Sequence, residues 1–527
     1  MRTLTRLFLV VPLLSACGNA TKDTPTDSID TQTADTDTAD TDTADTDTGT
    51  APETGRRTTL LACVVEADGC DLVLTPDESN IILLQGPGYA GDDGLDHAGQ
   101  TVCIPSGNYL TMNFNGLRGT EDKPIFITNC GTGQVVVDTL EQSSNMAAHS
   151  TRYLHFSGTG DPDQKYGFTL KNAAPGRMGI DMADGVSDIE IEYFEVAGPA
   201  YAGIAIRNYP YCDESLGRDT FTQYNTFIHH NYIHGVTGEG IYLGCSHYHE
   251  EYSPTSGEEC APGIAEPAMR GVEVHHNLIE EVGRDGIQVG TAIEGMEIHH
   301  NIVRNYALKE DYGHVGGIQV NPGSVGRVYA NLIVSKEGNL SDNGIQFAGG
   351  ADGPSYLYNN LIVGTKVPFL ALTRMGNLDS PVHLLNNTII GRSDGGRSLY
   401  LFCDPNRVQN FFVTNNLFAG AEFNGLYIYT NNSGQVVGKI VDGNAENCPI
   451  NGQAYNNDLD ENLKIPGNLY DPDVSIFDFV DLEGGDYHLN EGSPAIGAGE
   501  NLSDIFTEDF EGQERGEGAF DLGAYRY

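Results

Sequence analysis

Phe227-Ile-His-His-Asn-Tyr-Ile233 is answered by Val274-His-His-Asn-Leu-Ile279, Ile298-His-His-Asn-Ile-Val303 and Val328-Tyr-Ala-Asn-Leu-Ile333. A Gly-Ile phrase follows each one: Gly240-Ile-Tyr-Leu243, Gly286-Ile-Gln-Val289, Gly317-Ile-Gln-Val320 and Gly344-Ile-Gln-Phe347. The pattern continues as Tyr358-Asn-Asn-Leu-Ile362, Leu385-Asn-Asn-Thr-Ile389 and Thr414-Asn-Asn-Leu-Phe418. The steps between Asn277, Asn301, Asn331, Asn360, Asn387 and Asn416 are 24, 30, 29, 27 and 29 residues. A period in this range is the mark of a solenoid.

Within one repeat, Val272-Glu-Val-His275 alternates apolar and polar, and Gly286-Ile-Gln-Val289 alternates again. That is a strand pattern, and no apolar 3.6-residue run separates the two. Helical repeats are therefore excluded. Short strands at this period predict coils of a parallel β-helix, with Ile, Val and Leu pointing inward. An Asn at the bend can stack on the Asn of the next coil and satisfy buried backbone through its amide. A Gly before Ile predicts a bend that a Cβ would hinder.

The Asn-turn and Gly-Ile phrases resemble those of right-handed parallel β-helix repeats, the architecture of pectate-lyase-like proteins. The resemblance spans roughly Val102 to Leu426 and is specific for fold rather than activity. It implies an all-β, right-handed parallel β-helix with terminal caps, preceded by a disordered stalk. Ile104-Pro-Ser-Gly-Asn-Tyr-Leu110 and the Gly119-Thr-Glu-Asp-Lys-Pro-Ile125 turn resemble the first coils of secreted β-helix proteins. Gly492-Ser-Pro-Ala-Ile-Gly-Ala-Gly499 and Asp521-Leu-Gly-Ala-Tyr-Arg-Tyr527 resemble their closing segment, which would cover the unpaired edges of a last coil.

Five regions are expected. Residues 1–16 read as a targeting segment: Arg2 and Arg6, an apolar run too short to span a bilayer, then Leu14-Ser-Ala-Cys17. That ending resembles a bacterial lipobox, which implies lipid on Cys17 and, with Gly18 following, retention at the outer membrane. Residues 17–57 are a Thr/Asp-rich repeat with little to bury, hence an extended disordered stalk. Residues 58–150 are expected to hold the N-terminal cap and first coils, 151–430 the parallel β-helix, and 431–527 the last coils and cap.

A net charge of -46 disfavours nucleic acid or an anionic membrane surface as a partner bound by charge. It also repels polyanionic sugars unless a local basic site or a cation intervenes. Export permits disulfides. Cys63 with Cys70, Cys103 with Cys130, and Cys403 with Cys448 are sequence neighbours and therefore expected pairs; Cys212, Cys245 and Cys260 leave one over.

Aligning coils on Gly-Ile produces columns. Before the Gly stand Ala202, Glu239, Asp285, Gly316 and Asn343. The outward strand position holds Ala205, Tyr242, Gln288, Gln319 and Gln346. Neighbouring coils lie about 4.8 Å apart, so the carboxylates of Glu239 and Asp285 are expected roughly 5 Å apart. That is close to the about 5–5.5 Å of a retaining glycosidase pair, and it also suits a calcium ion. The plain alternative is that these side chains bond the turn backbone. Insertions gather over the same columns at 208–219, 245–270 and 305–315. They carry Tyr209 and Tyr312, which can stack on sugar rings. The doubled histidines 229/230, 275/276 and 299/300 predict outward ladders that weaken the fold in acid, and His247-Tyr-His-Glu250 predicts a solvated loop.

Two classes of function remain open. One is a polysaccharide-active enzyme. As a hydrolase it would use Glu239 as acid and Asp285 as base or nucleophile. As a lyase, Glu239 and Asp285 would hold calcium, Lys309 or His314 would abstract a proton, and Arg284 would neutralise a uronate. Arg207, Tyr209, Tyr242, Gln288, Tyr312 and Gln319 would line the sugar site. The other class is a monomeric, lipid-anchored surface protein that binds an extracellular polysaccharide without turnover.

Overall fold

The computed structural model describes residues 63, 69–89, 96–139, 143–198, 200–211, 213–248, 264–336, 338–339, 342–371, 380–392, 399–402, 410–420, 426–429, 450–451 and 465–527. The targeting segment, Cys17 and the Thr/Asp-rich stretch lie outside these residues, as do Cys212, Cys260, Cys403, Cys448, His249 and Glu250.

Each central repeat makes three short strands. One coil runs through Thr222–His229, Tyr232–His234 and Ile241–Leu243. The next runs through Ala268–His275, Leu278–Glu280 and Ile287–Val289. Equivalent residues stack in parallel: Ile228 on Val274, Ile233 on Ile279, and Ile241 on Ile287. Ile287 stacks in turn on Ile318, and Ile318 on Ile345. These side chains form one continuous interior with no exposure. Each contributes about 1.5–3 kcal/mol by burial, so the apolar column holds successive coils in register. The result is a parallel β-helix.

The asparagines form the expected ladder and extend it at both ends. Asn231 Nδ2 donates to Asn277 Oδ1 (3.0 Å), Asn277 to Asn301 (3.0 Å), Asn301 to Asn331 (3.0 Å) and Asn331 to Asn360 (3.0 Å). Asn360 continues to Asn387 (2.9 Å), Asn387 to Asn416 (2.8 Å), and Asn416 to Asn468 (2.8 Å). Each amide also satisfies strand-end carbonyls. Asn301 Nδ2 reaches the carbonyl oxygens of Val274 (2.8 Å) and His299 (3.0 Å). The residue before each Asn takes a left-handed backbone, with φ of 55° at His230, 53° at His276 and 52° at His300.

The Gly-Ile glycines serve close approach rather than bending. A Cβ on Gly240 would lie 2.5 Å from the Gly286 carbonyl oxygen and 2.6 Å from Ile279 Cγ2. The Gly286 position is equally crowded, by Gly317 O at 2.6 Å and Val303 Cγ1 at 2.3 Å.

The disulfides correct the sequence-neighbour pairing. Cys63 bonds Cys130 and Cys70 bonds Cys103. Stacking decides this, because Leu72-Val73 pairs with Val102-Cys103 and Cys103 pairs with Thr128. Sulfurs from vertically adjacent segments therefore meet, at Cα separations of 5.3 and 5.8 Å. At the other end, Phe479–Asp481 and Asp486–Leu489 form an antiparallel pair. The closing segment lies along the coils: Asn386 Nδ2 donates to Asp521 O (2.7 Å), and buried Arg515 donates to Asn359 Oδ1 (2.9 Å).

Candidate functional site

Glu239 and Asp285 occupy the same place in adjacent coils because Ile241 is in register with Ile287. Gly240 N–H donates to the Asp285 carbonyl at 2.9 Å, which holds the two turns together. Both side chains are fully buried, at 0% exposure. The next coil has Gly316 at this place, and its N–H donates to Asp285 Oδ1 at 2.6 Å. With its amide nitrogen turned inward, Gln319 also reaches Asp285 Oδ1, at 3.3 Å.

His314 completes the cluster from the 305–315 insertion. Its Nδ1 lies 3.4 Å from Glu239 Oε1 and 3.4 Å from Asp285 Oδ2. At 9% exposure, it is the only one of the three that solvent reaches. The insertion is tied across the preceding turn by backbone bonds. Ala307 N–H donates to Arg284 O (2.8 Å), and Lys309 N–H to Gly283 O (2.9 Å). Buried Tyr306 anchors its base by donating to Asn343 O at 2.9 Å.

Arg284 forms the rim. Its guanidinium donates to Tyr201 Oη (2.7 Å) and Asp311 Oδ2 (2.9 Å) and lies 3.4 Å from Glu239 Oε1. Its side chain is 23% exposed, so one face stays available to a ligand. Lys309 is exposed beside it in the loop and Tyr312 is 80% exposed.

Burial pushes the Asp285 carboxyl up to about 6, against the hydrogen bond and charge of His314. Burial acts to lower the His314 pKa, but the Asp285 bond and the two carboxylate charges outweigh it, and the net shift is upward. Burial likewise opposes charge on Arg284, and Glu239, Tyr201 and Asp311 together raise its pKa. Among the described residues Glu239 Oε2 has no hydrogen-bond partner. The grouping can therefore hold and pass a proton, with a fixed cation alongside.

The donor set does not match calcium. Glu239, Asp285 and His314 bring ligand atoms within 4.8 Å of one another. Calcium takes six to eight oxygens, whereas here one donor is nitrogen and both carboxylates are closed to solvent.

The other expected contacts are placed differently. Tyr242 and Gln288 are fully buried, and Gln319 is 4% exposed. The segment after Gly244 folds back over this strip. Ser246 Oγ lies 3.3 Å from Tyr242 Oη, 3.2 Å from Gln288 Nε2 and 2.8 Å from Asn321 Nδ2. These side chains support a roof rather than an open sugar platform. Arg207 stacks over Tyr242 (4.7 Å) and Tyr209 (5.4 Å), and its charge also acts on Tyr201. Tyr201 is a further site residue, not singled out by the Gly-Ile columns: it stands two positions before Gly203, one coil ahead of the Glu239 turn.

No family profile matches the chain, and no curated protein matches it. Similar solved structures include a pectate lyase, Pel9A, at 14% identity over 86% of this chain and 97% of that one, with a TM-score of 0.39. An alginate lyase from Paenibacillus sp. str. FPU-7 is 13% identical over 56% of this chain and 90% of that one, with a TM-score of 0.36. The GH136 lacto-N-biosidase from Eubacterium ramulus is 12% identical over 68% of each chain, with a TM-score of 0.41. The likeness is one of fold, and the chemistry rests on this chain's own residues.

Proposed function

We propose that the protein is a cell-surface enzyme that cleaves a uronate-bearing polysaccharide by proton abstraction. The observation that carries this is the placement of His314: reachable itself, and backed by two carboxylates that are not. In this reading His314 removes the proton on the carbon next to the sugar carboxylate. The electron pair forms a carbon–carbon double bond as the neighbouring C–O glycosidic bond breaks; the leaving oxygen takes a proton from water, and His314 returns its own to the hydroxide left behind. Arg284 and Lys309 supply a local positive rim in a strongly acidic protein and face the uronate. Arg284 also stabilises the charge that develops on that carboxylate. Asp285 orients the imidazole, and Tyr201 and Asp311 hold the guanidinium. Cys17 would carry the lipid that keeps the chain at the outer membrane.

The test is a panel of acidic and neutral polysaccharides with two readouts, ultraviolet absorbance of an unsaturated sugar and new reducing ends. Both should appear on a uronate polymer and disappear in His314→Gln. New reducing ends without the absorbance would point to hydrolysis instead. Full burial of Glu239 and Asp285 favours a second reading, a glycan-binding protein without turnover; binding with neither signal would select it.

A further inference from the structure

The other notable cluster lies on a different sheet. His229, His275 and His299 stack face to face, with ring centroids 4.6 and 4.9 Å apart. His230, His276 and His300 form a second stack at 4.9 and 5.0 Å. Within each coil the two rings meet edge to face, and Nδ1 lies 2.8 Å from Nδ1 in all three pairs. The left-handed backbone of the second histidine turns both rings to one side.

Carboxylates set the tautomer of the first stack. His229 Nε2 lies 3.0 Å from Glu190 Oε1, and His299 Nε2 lies 3.2 Å from Glu273 Oε1. An ionised carboxylate only accepts, so Nε2 carries the hydrogen and Nδ1 presents its lone pair inward. Without metal, an Nδ1–H from the second ring satisfies that lone pair. If the second ring carries its hydrogen on Nε2 instead, both Nδ1 atoms become ligands and no proton need be released.

We propose that the histidine ladder binds copper(II)- or nickel(II)-type ions, one at each end pair, 229/230 and 299/300, through paired Nδ1 atoms. Metal–imidazole bonds of about 2.0 Å at a right angle place two nitrogens about 2.8 Å apart, the edge of a square-planar site. A tetrahedral zinc site of the same bond length needs about 3.3 Å. The middle pair stays empty because an ion there would lie about 4.8 Å from its neighbours. Beside the 229/230 pair Glu192 Oε2 lies 3.6 Å from His229 Nδ1, placed to supply a further ligand, and water would complete the rest.

Copper(II) sulfate titrated into the full chain, with excess magnesium to fill oxygen-only acidic sites, tests this. Two ions should bind per chain, with imidazole nitrogen couplings in the electron paramagnetic resonance spectrum. His230→Asn, His276→Asn and His300→Asn combined should weaken uptake at least tenfold. Asn is compatible with this turn, since Asn359 takes it with φ of 52°. Unchanged uptake in that variant, or copper bound only to oxygen, overturns the proposal. If the triple variant does not melt cooperatively, His300→Ala decides, because Ala330 holds the same turn one coil later with φ of 50°. Loss of one ion supports the site and unchanged stoichiometry overturns it.

Discussion

His314 Nδ1 lies 3.4 Å from Asp285 Oδ2, although one residue belongs to a surface insertion and the other to a buried turn. Burial alone would leave Asp285 neutral and His314 uncharged, and their contact lets one proton serve both. The pair therefore titrates as a unit. If His314 is the base, activity should rise with pH along an acid limb whose apparent pKa exceeds the usual 6.5 of histidine. A kcat/KM profile on the active polysaccharide checks this; a limb at or below 6.5 would count against His314.

Asp285→Asn keeps the size of the side chain but removes its charge. The expected loss in kcat is roughly 10²–10⁴-fold, with the acid limb moved downward because His314 loses the charge that raises it. Arg284→Ala should instead raise KM more on uronate polymers than on neutral ones. Steady-state kinetics on matched substrates separates the two effects.

Stability should respond to pH in two opposite ways. Asp285 has its folded pKa raised, so its contribution is present below the unfolded value of 3.8 and lost as pH rises through about 6. His314, also raised, adds to the same loss as pH rises past its folded pKa. His275, His299 and His300 have depressed folded values. Their unfolded forms take up protons below 6.5, so the fold weakens as pH falls from there toward about 4, 3 and 2. Melting temperatures measured with chelator present should therefore peak at an intermediate pH. Asp285→Asn should flatten the upper side, and a flat profile would reject both assignments.

Asn301→Ala removes bonds to Val274 O, His299 O and Asn331 Oδ1 and the acceptor for Asn277 N–H. Each buried group left unsatisfied costs about 1–3 kcal/mol, so destabilisation above about 2 kcal/mol is expected. Asn301→Asp should also destabilise, because a carboxylate cannot donate. Denaturant melts of both variants measure it.

Peptide mapping under non-reducing conditions should recover Cys63 linked to Cys130 and Cys70 linked to Cys103. Replacing Cys70 and Cys103 together by Ala should cost about 2–4 kcal/mol, as expected for a bridge closing a long loop.

The periodic parts of the molecule were readable before any coordinates. Asn277 to Asn416 repeat at nearly constant spacing, and repetition plus strand alternation leaves one way to stack them. The stacking of Glu239 over Asp285 is legible there too, since both sit at a fixed offset from a Gly-Ile phrase. Alternation shows that Tyr242 and Gln288 point outward but not that Ser246 covers them. Nearness along the chain suggests Cys63 with Cys70 and Cys103 with Cys130, whereas the coils bring Cys63 to Cys130 and Cys70 to Cys103.

A stack of parallel coils, and the order of residues up each column, follow from the repeat alone, because hydrogen-bond spacing and apolar burial act at every turn of it. The entry of His314 between two buried carboxylates, and the grip of Tyr201 and Asp311 on Arg284, emerge only in the folded chain. Those contacts come from insertions whose paths follow non-repeating backbone bonds, such as Lys309 to Gly283 and Ala307 to Arg284, and no period specifies them.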